Sequence, residues 1–173
     1  MARRSSWFRN TAALAGLLCL GLSTAHAETA DEYIHRGVEY HDQGKFAEAV
    51  AEYDRAIGVD AQSAVAYYER GLSHFAQGSV ALSIVDYNEA IEINPALDAA
   101  YYNRGVSYYN QKNLPEAIAS YDKAIEINPN AADAYYNRGL CYKLQGDSAR
   151  ALSDYNTALR TDPGLSEVEN YNL

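Results

Sequence analysis

The sequence is short of basic residues. Its 173 residues include 14 lysines and arginines against 23 aspartates and glutamates, which gives a net charge of −9. Three of the arginines lie in the first 27 residues, where there is no acidic residue, so the rest of the chain is more acidic still. Such a surface repels phosphate backbones, which excludes nucleic acid as the expected partner. The charge favours basic or neutral partners instead.

The chain is also short of cysteine. It has two, Cys19 and Cys141, and Cys19 lies in an apolar run near the N-terminus. If that run is removed, Cys141 alone is left and no internal disulfide can form. We expect Cys141 to be a small buried residue that faces the next helix. The alternative is a free thiol that pairs with another molecule.

The motifs of catalysis and of cofactor binding are missing. There is no Gly-rich phosphate loop and no Ser–His–Asp or Cys–His arrangement. His35 and Glu39 lie one helical turn apart, but two ligands do not make a metal site. His74 stands where related positions carry aromatic packing residues, so we interpret it as a core residue. We expect no enzymatic activity, no cofactor and no metal.

Residues 1–27 have the pattern of a secretory signal peptide. Three arginines precede an apolar run over residues 11–22, which is too short to span a bilayer comfortably. Ala25 and Ala27 supply the small residues that a signal peptidase reads, so we expect cleavage after Ala27. This predicts a periplasmic or secreted protein with no stable membrane anchor. An uncleaved anchor is the alternative.

What the sequence does have is a repeat of 34 residues. The hexapeptide AYYNRG ends at Gly105 and again at Gly139, AYYERG ends at Gly71, and EYIHRG ends at Gly37. A fixed period of this length predicts a stacked helical solenoid. The four blocks are residues 30–63, 64–97, 98–131 and 132–165.

Each block contains two helical patterns. In the third block, Tyr101, Gly105 and Tyr108 lie on one face of a first helix, and Ala117, Tyr121 and Ala124 lie on one face of a second. Glycine and alanine allow two backbones to approach closely, and the tyrosines fill the space beside them. Asn-Pro or Asp-Pro closes the second helix in three of the four blocks.

The order of Gly, Tyr, Ala, Tyr, Ala and Pro within this period resembles the tetratricopeptide repeat (TPR) family. The resemblance covers residues 30–165. It implies an all-α fold, a right-handed α-solenoid of four TPR helix-turn-helix repeats with eight helices, over residues 28–165. Residues 166–173 would be a C-terminal tail or partial cap. Ser148 stands where the other repeats have Phe46, Val80 and Leu114, so we expect the fourth repeat to pack less well.

An arginine precedes the first-helix glycine of every repeat, where the family usually has leucine. These arginines are Arg36, Arg70, Arg104 and Arg138. We predict that each pairs with an aspartate across its own hairpin, as Arg104 would with Asp122. The alternative is a solvated edge on which the arginine stems cover apolar surface.

The resemblance implies a concave groove lined by the first helices, where TPR arrays mostly bind peptides or protein segments. The groove residues expected here are Tyr68, Glu69, Leu72, Tyr102, Asn103, Val106, Tyr109, Tyr136, Asn137 and Leu140. Tyrosine offers large, stiff contact area, and asparagine can hydrogen-bond a peptide backbone. The paired cations with which some TPR domains clamp a terminal carboxylate are absent from the matching positions. The alternative is that these residues only pack.

Together these patterns predict an adaptor or scaffold that binds a peptide or protein segment in its groove. Two other functions stay open. One is a structural protein that self-assembles into a homo-oligomer through its weakly capped end. The other is a TPR subunit of a cell-envelope assembly or cofactor-maturation complex.

Overall fold

The computed structural model describes residues 28–167, which form eight α-helices and a short 3-10 helix, with no strand in this range. The α-helices are α1 (Ala30–Asp42), α2 (Phe46–Val59), α3 (Ala64–Ala76), α4 (Val80–Ile93), α5 (Asp98–Asn110), α6 (Leu114–Ile127), α7 (Ala132–Leu144) and α8 (Ser148–Thr161). The 3-10 helix is Pro163–Glu167. The predicted eight-helix fold is therefore confirmed. The predicted signal peptide, residues 1–27, and the tail residues 168–173 lie outside the described residues.

The start of α1 and the ends of all four first helices have local sequence signals. At α1, the backbone N–H of Thr29 donates to the Glu32 carboxylate at 2.8 Å, and the Glu32 N–H donates back to the Thr29 hydroxyl at 3.3 Å. A residue with positive φ follows each first helix and turns the chain into the second helix. These residues are Gly44 (φ 73°), Gly78 (φ 80°), Lys112 (φ 61°) and Gly146 (φ 82°). Lysine carries a steric penalty in this conformation that glycine avoids.

A tyrosine ring from the second helix packs directly against the glycine of the first helix. A β-carbon added at Gly105 would lie 2.6 Å from the Tyr121 ring, which is closer than carbon atoms can approach. The same contact joins Gly37 to Tyr53, Gly71 to Tyr87, and Gly139 to Tyr155. All four tyrosines are buried. The glycine therefore sets how closely the two helices of a hairpin pack, as the sequence predicts.

The solenoid is curved because its two helix layers pack differently. Each hairpin contacts the next through its second helix and the following first helix. Consecutive first helices (α1, α3, α5 and α7) also contact one another, whereas consecutive second helices do not. The layer of first helices is therefore the shorter, inner layer. We call its exposed side the concave surface.

The arginines that precede the glycines form what we call the arginine row: Arg36, Arg70, Arg104 and Arg138. The predicted pairing within the hairpin is confirmed for Arg70 and Arg138. Arg70 Nη2 lies 2.6 Å from Asp86 Oδ1, and Arg138 Nη2 lies 2.7 Å from Asp154 Oδ1. Both aspartates are buried. The hydrogen bond with Asp154 raises the pKa of Arg138.

The row also joins neighbouring repeats. Arg70 Nη1 lies 2.6 Å from Asp54 Oδ1 of the preceding repeat, and Arg138 Nη1 lies 2.6 Å from Asp122 Oδ1. The predicted pair between Arg104 and Asp122 is therefore wrong. Asp122 lies on the side of α6 that faces the next repeat, so Arg138 of that repeat takes it.

The remaining two arginines have different partners. Arg36 pairs with a glutamate rather than an aspartate, with its Nε 3.0 Å from Glu52 Oε2. Arg104 has no carboxylate partner within residues 28–167. It donates to the Ser120 hydroxyl at 3.2 Å and to the side-chain oxygen of Asn88 at 2.8 Å. The third repeat thus keeps the geometry of the row but lacks its ion pairs.

The C-terminal end of the solenoid exposes apolar side chains. Leu144 is 62 % exposed and Leu152 is 52 % exposed, and Ser148 is exposed as well. Cys141 is fully buried, as predicted, but it clusters with Ala117 and Tyr121 of the preceding helix α6 and not with the next helix. Burial raises the pKa of its thiol to about 11. Among the described residues, no helix is long and apolar enough to cross a membrane.

Candidate binding surface

The predicted groove residues belong to α3, α5 and α7, three of the helices of the inner layer. In α5, Tyr102, Val106 and Tyr109 follow one another at steps of four and three, which places them on one helix face. Tyr101 and Arg104 lie on a different face, toward the second helices. All ten predicted residues are half-buried. Each therefore packs on one side and offers part of its surface to solvent.

Asparagine–tyrosine hydrogen bonds link successive first helices. Asn103 Nδ2 donates to the Tyr68 hydroxyl at 3.2 Å, and Asn137 Nδ2 donates to the Tyr102 hydroxyl at 3.0 Å. Asn103 also donates to the backbone carbonyl of Ala99 at 2.9 Å. These bonds run from one repeat to the next along the concave surface, so they fix the angle between repeats.

The same tyrosines pack onto the hairpin interior. The ring of Tyr68 lies 6.1 Å from that of Tyr87, and the ring of Tyr102 lies 6.0 Å from that of Tyr121. Burial raises the pKa of both Tyr68 and Tyr102. The structure thus gives Tyr68, Tyr102 and their asparagines a packing role. That they bind a ligand stays a prediction.

Glu69 breaks the series of asparagine–tyrosine bonds. It occupies the place of Asn103 and Asn137, but the preceding repeat offers Ile34 where a tyrosine would stand. Its half-buried carboxylate has no hydrogen-bond or ion-pair partner within residues 28–167. Burial raises the pKa of Glu69, and the nearby Asp42 raises it further.

A cavity at the edge of the concave surface was not predicted. It has a volume of 610 Å³ and is lined by Tyr109, Asn110, Lys112, Leu114 and Leu144. These residues come from the end of α5, the turn after it, the start of α6 and the end of α7. The substitution of Lys112 for a turn glycine is visible in the sequence. That Leu144 lies beside it depends on the stacking of the fourth repeat on the third.

The described residues contain no group of three or more metal-ligating side chains that could hold an ion. His74 is half-buried, and its Nδ1 lies 2.8 Å from Asp86 Oδ2, so it belongs to the packing around the arginine row. His41 Nδ1 lies 2.8 Å from the Ser73 hydroxyl of the next repeat. Both histidines therefore have structural hydrogen-bond partners.

The fold and its concave surface define an α-solenoid of the kind typical of protein–protein interaction scaffolds. The TPR repeat model matches residues 37–78, 71–112 and 107–146, and the tetratricopeptide repeat model matches residues 132–165. The chain belongs to the tetratricopeptide repeat family. No curated protein matches the chain.

Solved structures with the same fold include several MamA proteins. A crystal structure of MamA is 27 % identical, with a TM-score of 0.77, and the match covers 83 % of this chain and 84 % of that one. MamA from Desulfovibrio magneticus RS-1 is 18 % identical, with a TM-score of 0.72, over 78 % of this chain and 76 % of that one. At this identity the second likeness shows the fold alone.

A third similar structure is the first TPR of Spaghetti (RPAP3) bound to the HSP90 peptide SRMEEVD. It is 25 % identical with a TM-score of 0.67, and the match covers 68 % of this chain and 94 % of that one.

Proposed function

We propose that this chain is an adaptor that binds an extended or helical segment of a partner protein on its concave surface. The observation that carries the proposal is the preformed surface itself. Leu72, Val106 and Leu140 form an apolar, half-exposed line along it, and Tyr109 extends this line toward the cavity. Asparagine–tyrosine bonds already hold the helices beneath this line in place. A rigid surface reduces the ordering cost of binding.

The bound peptide in the RPAP3 structure supports a peptide ligand for this fold but not an acidic tail for this chain. The positions that match a carboxylate clamp hold Ile34, Val38, Glu69, Ala99 and Asn103. None of these is a cation, and Glu69 would repel an acidic segment. We therefore propose a partner segment with apolar anchors that is not uniformly acidic.

We further propose that the protein acts in the periplasm or outside the cell, because residues 1–27 have the pattern of a cleaved signal. Cell fractionation tests this proposal together with mass spectrometry of the mature N-terminus. The expected product begins at Glu28. A cytoplasmic protein that retains residues 1–27 would overturn it.

The adaptor function is tested by a pull-down from a cell-envelope extract with three baits: the native chain, Tyr109→Ala and Tyr101→Ala. Both tyrosines are half-buried in α5, but Tyr101 lies under Arg104 of the arginine row, at 5.2 Å, away from the concave surface. Circular dichroism verifies that all three baits are helical. A partner retained by the native chain and by Tyr101→Ala but lost by Tyr109→Ala supports the proposal. Equal retention by both variants contradicts it.

Self-assembly is the second candidate, and the exposure of Leu152 on the last helix, α8, favours it. An exposed leucine on the last helix leaves an apolar site that a second copy could cover. Light scattering after size exclusion over a hundredfold concentration range tests this. A mass that rises with concentration, and that Leu152→Ser lowers, supports self-assembly. A constant monomer removes it.

A further inference from the structure

Two residues of opposite charge depart from the repeat pattern on or beside the concave surface. Glu69 stands where the third and fourth repeats have asparagine, and Lys112 stands where the other three repeats have glycine. Residues that recur in every repeat are accounted for by packing. Glu69 and Lys112 do not recur, so packing does not account for them, and each is unfavourable for stability.

The cost at Glu69 is electrostatic. The Glu69 side chain is half-buried in the inner layer, and no cation or hydrogen-bond donor within residues 28–167 pairs with it. A carboxylate that is partly removed from water without a partner is destabilised until a cation neutralises it. The charge complementary to this place is a lysine or arginine side chain.

The cost at Lys112 is conformational. A non-glycine residue at φ 61° is strained, and such strain in a native structure is a reason to look for function. Here the strained lysine lines the 610 Å³ cavity together with Tyr109 and the exposed Leu144. Lys112 beside this cavity therefore complements a ligand that has a carboxylate next to an apolar side chain.

We propose that the segment bound on the concave surface carries both charges, with a basic side chain at Glu69, and an acidic residue beside an apolar one at Lys112 and Leu144. This inference rests on the proposed adaptor function and deepens it, because it states the chemistry of the partner segment.

The test is a selection of binders from a randomised 16-residue peptide library on the purified protein produced from the full-length gene. Three charge variants are used: Glu69→Asn, Lys112→Gly and Glu116→Gln. The first two install the residue that other repeats of this chain carry at the same place, so they are expected to fold. Glu116 is an exposed acidic residue in the first turn of the second helix α6 and serves as the charge control. Tyr109→Ala shows which peptides use the concave surface.

The expected result is that peptides sensitive to Tyr109→Ala contain both a basic and an acidic position. Glu69→Asn should weaken their binding about tenfold and remove the preference for the basic residue. Lys112→Gly should do the same for the acidic residue, and Glu116→Gln should change affinity less than twofold. The loss with Glu69→Asn should shrink at high salt, because the interaction that it removes is screened there.

Two other results separate the possible failures. If peptides sensitive to Tyr109→Ala are obtained but bind Glu69→Asn and Lys112→Gly as well as the native chain, the charge pattern is wrong and the adaptor function stands. If no selected peptide is sensitive to Tyr109→Ala, the adaptor function fails and the charge pattern fails with it.

Discussion

The interior of the hairpins and the concave surface follow the 34-residue repeat to different degrees. In the interior, the contact of glycine with tyrosine recurs in all four repeats, and the arginine row keeps one geometry throughout. On the concave surface, the asparagine–tyrosine bond occurs at Asn103 and Asn137, and Glu69 interrupts it. The difference indicates that the interior is constrained by helix packing within each hairpin, which is the same in every repeat. The residues of the concave surface can differ between repeats, so they can be specific for a ligand.

The largest expected effect is at the arginine row. Arg138→Gln leaves the buried Asp154 without its cation, so we expect a loss of about 3 kcal/mol in the free energy of unfolding. Arg104→Gln removes hydrogen bonds to neutral groups only, and we expect a loss of about 1 kcal/mol. Urea denaturation followed by circular dichroism measures both. Equal losses would show that the carboxylates do not distinguish the two repeats.

Glycine substitution tests the hairpin contact. Gly105→Ala forces a methyl group against the buried Tyr121 ring, and we expect a loss of about 2 kcal/mol. Gly58→Ala is the control, because a β-carbon there meets no atom within 4 Å and the glycine lies inside α2. We expect it to stabilise the protein by about 0.5 kcal/mol. A Gly105→Ala variant as stable as Gly58→Ala would contradict the packing described here.

The sequence predicts the interior well because spacing alone determines it. A glycine and a tyrosine that keep the same separation in four blocks must meet if the blocks fold alike. The partners of the arginine row were predicted less well. Asp122 is close to Arg104 in the same hairpin by sequence, but the stacking of the next repeat brings Arg138 to it. The cavity at Lys112 could not be predicted either, since Leu144 reaches it only through that stacking.

An ion pair can be added to the arginine row in the third repeat. Ser120→Asp places a carboxylate where Asp86 and Asp154 stand in their repeats, opposite the half-buried Arg104. We expect a stabilisation of about 1 kcal/mol, measured by urea denaturation. The same substitution combined with Arg104→Gln should destabilise the protein, because the new carboxylate is then buried without a cation. If Ser120→Asp stabilises both backgrounds equally, Arg104 is not its partner.

The smallest expected effect is at Glu69, the residue at which the concave surface departs from the repeat pattern. Because the pKa of Glu69 is raised in the folded chain above its ordinary 4.5, its charged form is less favourable folded than unfolded. Above the raised pKa, Glu69→Gln should therefore stabilise the free protein, by about 0.5 kcal/mol or less. As the pH falls through the raised pKa and below 4.5, the carboxyl becomes neutral in both states and the difference should vanish. Denaturation midpoints of both proteins, measured from about pH 3.5 to about pH 7.5, give this stability difference, because carboxyl groups titrate within this range. A difference that does not depend on pH would mean that the substitution acts through packing and that Glu69 is as structural as the asparagines it replaces.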